Sequence, residues 1–159
     1  MTIEYRPLTP ADKPAIMRLL QNTPEFTPEE LPVAEEVLDD CLLHPADSGY
    51  HGIAAVRDGA LCGYILYGNT PLTRGNWEIY WMAVGLSARN LGIGGRLVQL
   101  TESEIRQRGG RQMTLETSSQ PSYQNTRRFY RACGFHETAC IPDFYDRGDD
   151  LLIYLKKLA

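Results

Sequence analysis

Between Trp77 and Leu97 the chain reads W-E-I-Y-W-M-A-V-G-L-S-A-R-N-L-G-I-G-G-R-L. Aromatic and β-branched residues fit a strand over 77–84. A short loop follows, and Gly92, Gly94 and Gly95 open a helical pattern over 94–108 with Leu97, Leu100 and Ile105 near one face. Gly109-Gly110 ends that helix, and 112–117 reads as the next strand. A crossover of this length joins strands that lie parallel, because a hairpin turn cannot contain it. The segment therefore demands an α/β arrangement. It also sets glycines at a helix start, where unpaired N–H groups and a partial positive charge favour an anion. Without side chains, the backbone there can be approached closely. Arg89 and Arg96 flank the loop.

The remaining elements fall around this unit. Residues 3–7 read as a first strand. Thr9 is a candidate cap and Pro10 a first helical residue, followed by Ile16, Leu19 and Leu20 at helical spacing. Thr23-Pro24 and Thr27-Pro28 interrupt the pattern. Leu31, Ala34, Val37, Leu38 and Leu42 mark a second helix that ends before Pro45. Strands over 50–57 and 60–67 flank Asp58-Gly59, a strong hairpin signal, and 68–76 is a loop. A short helix runs from Tyr123 or Asn125 to Cys133 and stops at Gly134. Residues 135–141 and 151–155 form a closing strand pair, with 142–150 as the loop between them. The order is β-α-α-β-β-β-α-β-α-β-β, without repeats. The expectation is one domain over residues 1–159, with a core that a chain of this length can bury.

A net charge of −4 argues against a general grip on nucleic acid. No apolar run approaches the length of a membrane span, and Met1–Arg6 does not read as a leader. Cys41, Cys62, Cys133 and Cys140 form no C-x-x-C, and His44, His51 and His136 do not complete a zinc spacing. Ordinary reduced thiols, no metal, no membrane and a cytoplasmic setting are the expectations.

Three anion-binding patterns compete for the glycine loop. A dinucleotide fingerprint, G-x-G-x-x-G, fails because Leu97 takes the last position. A nucleoside-triphosphate loop fails because Arg96-Leu97 replaces Lys-Ser/Thr. Arg/Gln-x-x-Gly-x-Gly/Ala is met by Arg89-Asn90-Leu91-Gly92-Ile93-Gly94. A second signature, N-T-R-R-F-Y-R-A-C-G-F, spans Asn125 to Phe135. With both motifs in this order, the sequence resembles the GNAT superfamily of acetyl-CoA-dependent N-acetyltransferases. The likeness covers nearly the whole chain and is weakest before Ala46.

The resemblance implies a mixed central sheet of six to seven strands flanked by about four helices, an α/β (α+β) fold. It also implies acetyl-CoA as acyl donor, with the pyrophosphate cradled by the loop. The implied coenzyme contacts are Met82, Val84, Arg89, Asn90, Leu91, Gly92, Gly94, Gly95, Arg96, Asn125 and Tyr130. Asn125 reads either as a helix N-cap or as a contact to the pantetheine arm. Moving an acetyl group from a thioester to an amine requires removal of a proton from an ammonium, whose ordinary pKa is near 10. It also requires a donor for charge developing on the carbonyl oxygen and benefits from a proton for the departing thiolate. By resemblance these are Glu78 as general base, the Met82 backbone N–H and the Tyr130 hydroxyl, while the Val84 N–H pairs with the pantetheine amide. Glu116, or water alone, is the rival to Glu78.

Glu78, Tyr80, Glu116, Tyr123 and Tyr145 are the candidate acceptor contacts. Glu25, Glu29, Glu30, Glu35, Glu36, Asp143, Asp146, Asp149 and Asp150 provide an acidic rim that would attract a cationic amine. The leading expectation is direct transfer, without an acyl-enzyme, to a small primary amine. A protein lysine or N-terminus is an alternative acceptor, and a non-catalytic acyl-CoA-binding module is a reading from another class. A homodimer through the closing strands is a further expectation from the resemblance.

Overall fold

A computed structural model describes residues 2–158. Its strands are β1 (Ile3–Pro7), β2 (Tyr50–Arg57), β3 (Ala60–Asn69), β4 (Asn76–Val84), β5 (Gln112–Ser118), β6 (His136–Asp146) and β7 (Asp149–Lys157). Its helices are α1 (Lys13–Gln21), α2 (Glu30–Leu43), α3 (Pro45–Ser48), α4 (Ile93–Gln107) and α5 (Gln124–Ala132). The strands form one mixed sheet in the order β1-β2-β3-β4-β5-β7-β6. Among the described residues, no helix is long and apolar enough to cross a membrane.

The first four strands pair antiparallel. The β2–β3 hairpin turns at Asp58 and Gly59, with φ of 51° and 78°, the two left-handed residues that a tight hairpin turn needs. α4 carries the chain from β4 to a parallel β5, as its length required. β7 then enters between β5 and β6, antiparallel to both.

Each face of the sheet has a helical cover. Ile93, Leu97, Val98 and Ile105 of α4 pack with Ile65, Tyr67, Trp77, Ile79 and Met113 on one face. Ile16 and Leu20 of α1 and Ala34 and Leu38 of α2 pack with Tyr64, Leu66 and Ala83 on the other. Successive β3 side chains point to opposite faces. Because both faces are covered, residues 64–67 read as an unbroken apolar run. A side chain such as Leu97 buried this way stabilises the fold by about 1.5–3 kcal/mol.

Two expectations about local structure are corrected. The helix expected from Pro10 begins as a 3-10 turn at Pro10–Asp12, and α1 starts at Lys13. Asp12 accepts the Thr9 N–H at 2.8 Å and pairs with Arg6 at 2.8 Å, so its carboxylate ties the turn to β1. The expected 142–150 loop is mostly strand: β6 runs on to Asp146 and β7 begins at Asp149. The turn between them carries Gly148 at φ 77°. Pro142 is tolerated because β6 is an edge strand, and a register shift between Ile141 and Asp146 absorbs the irregularity.

One irregularity governs everything downstream. β4 pairs with β5 only at Asn76–Gln112, Trp77–Met113 and Glu78–Thr114. β5 stays paired with β7 as far as Ser118, while β4 bulges against β3 at Tyr80 and continues to Val84. Past Glu78 the two parallel strands diverge, so the β5-facing edge of β4 has no ladder partner.

Candidate active site

A groove of about 660 Å³ runs beside that open edge. Met82, Ala83 and Val84 form its floor, Thr23, Glu25 and Phe26 one rim, and Asn125, Thr126, Phe129 and Tyr130 the other. Its end is made by Arg89, Asn90, Gly92 and Gly94. Asn90 and Gly92 take left-handed φ values of 63° and 76°, which bend the loop into the helix start. The Arg96 N–H closes a helical bond to the Gly92 carbonyl at 3.0 Å. The N–H groups of Ile93, Gly94 and Gly95 precede that first bond, and helix geometry leaves them without an intrahelical partner.

The glycines have separate jobs here. A Cβ at Gly94 would lie 3.1 Å from two ring carbons of Phe129, so this position lets α4 and α5 come together. A Cβ at Gly95 would meet nothing within 4 Å, so space lies open beside it. Free N–H groups, a helix N-terminus and room beside the backbone fit an anionic diphosphate. The neighbouring β4 edge fits an amide-bearing arm that adds as a strand would.

Arg96 departs from expectation. Its side chain lines a second groove, with Tyr5, His51 and Ser103, and is absent from the lining of the first. Two residues along a helix from Gly94 is about 200° around the axis, which turns Arg96 away from the first groove. Leu91 is half exposed and, like Gly95, contributes no surface to the first groove. Asn125 lines the groove, but α5 begins at Gln124 with Tyr123 in the cap position, so the N-cap reading of Asn125 falls. Arg89 lines the groove with its guanidinium already engaged: Nη1 and Nη2 donate to Glu25 Oε1 and Oε2 at 2.8 and 3.1 Å. Arg89 in turn holds the Glu25 carboxyl below the ordinary range. The sequence places Glu25 of this segment at the acceptor rim but singles out neither Thr23 nor Phe26 as a contact, because their proline-broken loop carries no periodic or motif signal.

Tyr130 is buried, 7% exposed, with Phe129 and Phe135 edge-on at 5.1 and 5.7 Å. Burial pushes its hydroxyl pKa up, and the Cys133 thiol adds to this. The hydroxyl stays protonated at neutral pH and is available as a proton donor.

On the α1/α2 side of the same opening lie the acceptor candidates. Glu78 is the last β4 residue paired with β5. Burial first, and then Glu116, push its carboxyl pKa up, while the nearby Tyr80 hydroxyl works in the other direction. Glu116 is exposed and sits two residues beyond Thr114, so it shares the sheet face of Glu78. Tyr80 packs edge-on against Tyr50 at 5.0 Å, and burial with nearby Glu78 pushes its pKa up to about 12. The Tyr123 hydroxyl donates to Glu30 Oε1 at 3.0 Å. Burial raises the Tyr145 pKa, and the charges of Glu116, Asp149 and Glu30 add to it. Among the described residues, none of Glu30, Glu78, Glu116 and Asp149 pairs with a cationic side chain. The result is an acidic, tyrosine-walled mouth, joined to the groove rim where the Tyr123 hydroxyl lies 3.3 Å from the Glu25 carbonyl oxygen.

A profile of the acetyltransferase (GNAT) family matches residues 14–135. The chain belongs to this family. A solved structure from Desulfovibrio desulfuricans, described as an acetyltransferase of the GNAT family, is 38% identical with a TM-score of 0.95. That match covers 99% of this chain and 100% of that one. An uncharacterized N-acetyltransferase of Methanocaldococcus jannaschii is 32% identical over 101 residues, 63% of this chain. The match spans 62% of that relative's length. An aminoglycoside 6'-N-acetyltransferase complexed with coenzyme A shares the fold at 22% identity and a TM-score of 0.75, covering 100% of this chain and 98% of that one. GNAT acyltransferases draw their acetyl group from acetyl-CoA, and the groove with its helix N-terminus suits that donor.

Proposed function

We propose that this GNAT protein transfers the acetyl group of acetyl-CoA to a primary amine of a small cationic molecule, by direct attack in a ternary complex. The observation that carries the proposal is the divergence of β4 and β5 past Glu78. It leaves the backbone of Met82 and Val84 open beside the groove, with the acidic mouth on the other side of the opening.

When bound, acetyl-CoA supplies the acetyl group as a thioester. The start of α4 holds the diphosphate, with the Gly94 N–H foremost and Asn90 and Gly92 beside it. Val84 and Asn125 hold the pantetheine arm. The Met82 N–H offers a fixed donor to charge developing on the carbonyl oxygen, an effect whose loss costs about 10²–10³-fold in comparable sites. Glu78 Oε accepts the proton that the ammonium must lose, directly or through a water. Its raised pKa makes it a stronger base than an ordinary carboxylate. The Tyr130 hydroxyl returns a proton to the departing sulfur. Cys133 is half-buried with its thiol pKa pushed up by burial, which disfavours a thiolate acyl carrier and supports direct transfer.

Tyr130→Phe should lower turnover while leaving acetyl-CoA affinity near wild type. Because a free thiol has a pKa near 8.5, a thiolate can also depart unaided, so the loss should be modest. Steady-state kinetics with calorimetric coenzyme titration checks this, and unchanged turnover removes Tyr130 from the mechanism.

The acceptor class rests on the four unpaired carboxylates and three tyrosines of the mouth, which favour a cation with an apolar stem. One feature favours a protein lysine or N-terminus instead. β6 is exposed along its whole length and carries Tyr145, so an extended chain has an edge to follow into the mouth. The same edge is where we place the contact of a homodimer. A panel of small amines and lysine peptides separates the two acceptor readings by the ratio of their kcat/KM values.

A further inference from the structure

The 22–29 loop, between α1 and α2, forms one rim of the groove. It has no regular structure of its own; local turn bonds such as Thr23 Oγ1 to the Leu19 carbonyl shape it, and three longer-range contacts tie it down. Phe26 packs against Trp81 of β4 with ring centroids 5.7 Å apart. The Tyr123 hydroxyl lies 3.3 Å from the Glu25 carbonyl oxygen and donates to Glu30 at 3.0 Å. Arg89, 64 residues away in the glycine loop, grips the Glu25 carboxylate with both terminal nitrogens. Its remaining nitrogen, Nε, lies 3.4 Å from the Val84 carbonyl oxygen. Every nitrogen of the guanidinium thus has a protein partner.

We infer that Glu25 is a positioning residue which recruits Arg89 to brace the 22–29 loop, the rim between the groove and the acceptor mouth, so that Arg89 holds this rim toward the acceptor and not the coenzyme diphosphate. The inference rests on the acyl-transfer reading above and assigns a different duty to the residue that opens the glycine motif. A carboxylate fills the planar fork bidentately, the geometry in which arginine pairs are strongest. A diphosphate competing for Arg89 would have to displace Glu25. The N–H groups at the start of α4 require no such displacement. The coenzyme grip therefore falls on backbone, where Gly94 and Gly95 keep the approach clear, and the one arginine at the groove end ties donor loop to acceptor loop.

The test uses Glu25→Gln, Arg89→Gln and the double variant of the full chain, each checked for folding by thermal melting. Four quantities are read: acceptor KM and kcat with the best amine of the panel, the dissociation constant of coenzyme A by calorimetry, and amide exchange over 22–29. Each single variant should raise acceptor KM by about two- to fivefold, the range of a partly exposed pair. The double variant should be no worse than either single, because both remove one shared contact. Exchange over 22–29 should quicken equally in all three, and coenzyme affinity should stay within about a factor of two. A loss of coenzyme affinity of about tenfold in Arg89→Gln alone, additive KM effects, or unchanged exchange would each overturn the assignment. If the wild type binds no coenzyme A, the acyl-transfer reading fails, and the exchange data still decide whether the pair braces the loop.

Discussion

Replacing Glu78 by glutamine should lower kcat by about 10²–10⁴-fold, the usual contribution of a positioned base, with little change in coenzyme affinity. Glutamine keeps the size and the hydrogen-bonding oxygen for Tyr80 but cannot accept a proton. In the wild type, burial and the neighbouring Glu116 raise the Glu78 pKa above its ordinary value of 4.5. A base works only when deprotonated, so kcat should rise with pH through that elevated pKa and the acidic limb should vanish in Glu78→Gln. Glu116→Gln removes one of the two influences that raise the pKa and should move the limb to lower pH. Stability should respond with the opposite sign. A folded pKa above the unfolded value favours the fold at low pH, and that contribution is lost as pH rises through the folded pKa. At neutral pH the ionised Glu78 therefore destabilises the protein, and Glu78→Gln should melt at a higher temperature. A site that exchanges stability for chemistry in this way is a common pattern. Unchanged kcat would transfer the base role to Glu116 or to water. pH–rate profiles and melting curves of the three proteins decide it.

Gly94→Leu should weaken acetyl-CoA binding by about tenfold or more, the range in which overpacking of a tight contact falls. Its Cβ alone would sit 3.1 Å from Phe129 Cε1 and Cζ and 3.7 Å from Val84 Cγ2. Three further carbons must either push Phe129, and Tyr130 with it, or fill the groove beside the β4 edge. Gly94→Ala should do far less, because the end of the Phe129 ring can give by a few tenths of an ångström. Calorimetry with coenzyme A on both variants measures the difference. Equal, wild-type affinity in both would mean that the arm does not pass between α4 and α5.

Much of this arrangement is legible in the sequence because local rules and the global fold agree. The glycine-opened helix between two apolar runs dictates a parallel crossover, and Asp58-Gly59 dictates a hairpin. The same glycines mark the helix start that faces the groove. What escaped depends on three-dimensional placement. The helix phase that turns Arg96 away is set by how α4 packs on Ile65, Tyr67 and Trp77, not by its nearness to Gly94 in sequence. Residues 142–150 carry proline, glycine and aspartates, the composition of a loop, yet an edge strand accepts them because it has only one ladder to satisfy. The bulge at Tyr80 and the parting of β4 from β5 leave no mark in an otherwise regular strand pattern. The Glu25–Arg89 contact joins two irregular segments, and neither has a periodicity from which the other could be inferred.

The most direct test of acyl transfer to a cationic amine is release of coenzyme A from acetyl-CoA, followed with a thiol reagent, across small amines and lysine peptides. Amine-dependent release is expected, favouring small cationic amines and lost in Glu78→Gln. No release with any acceptor, together with no shift in melting temperature on adding acetyl-CoA, would contradict it.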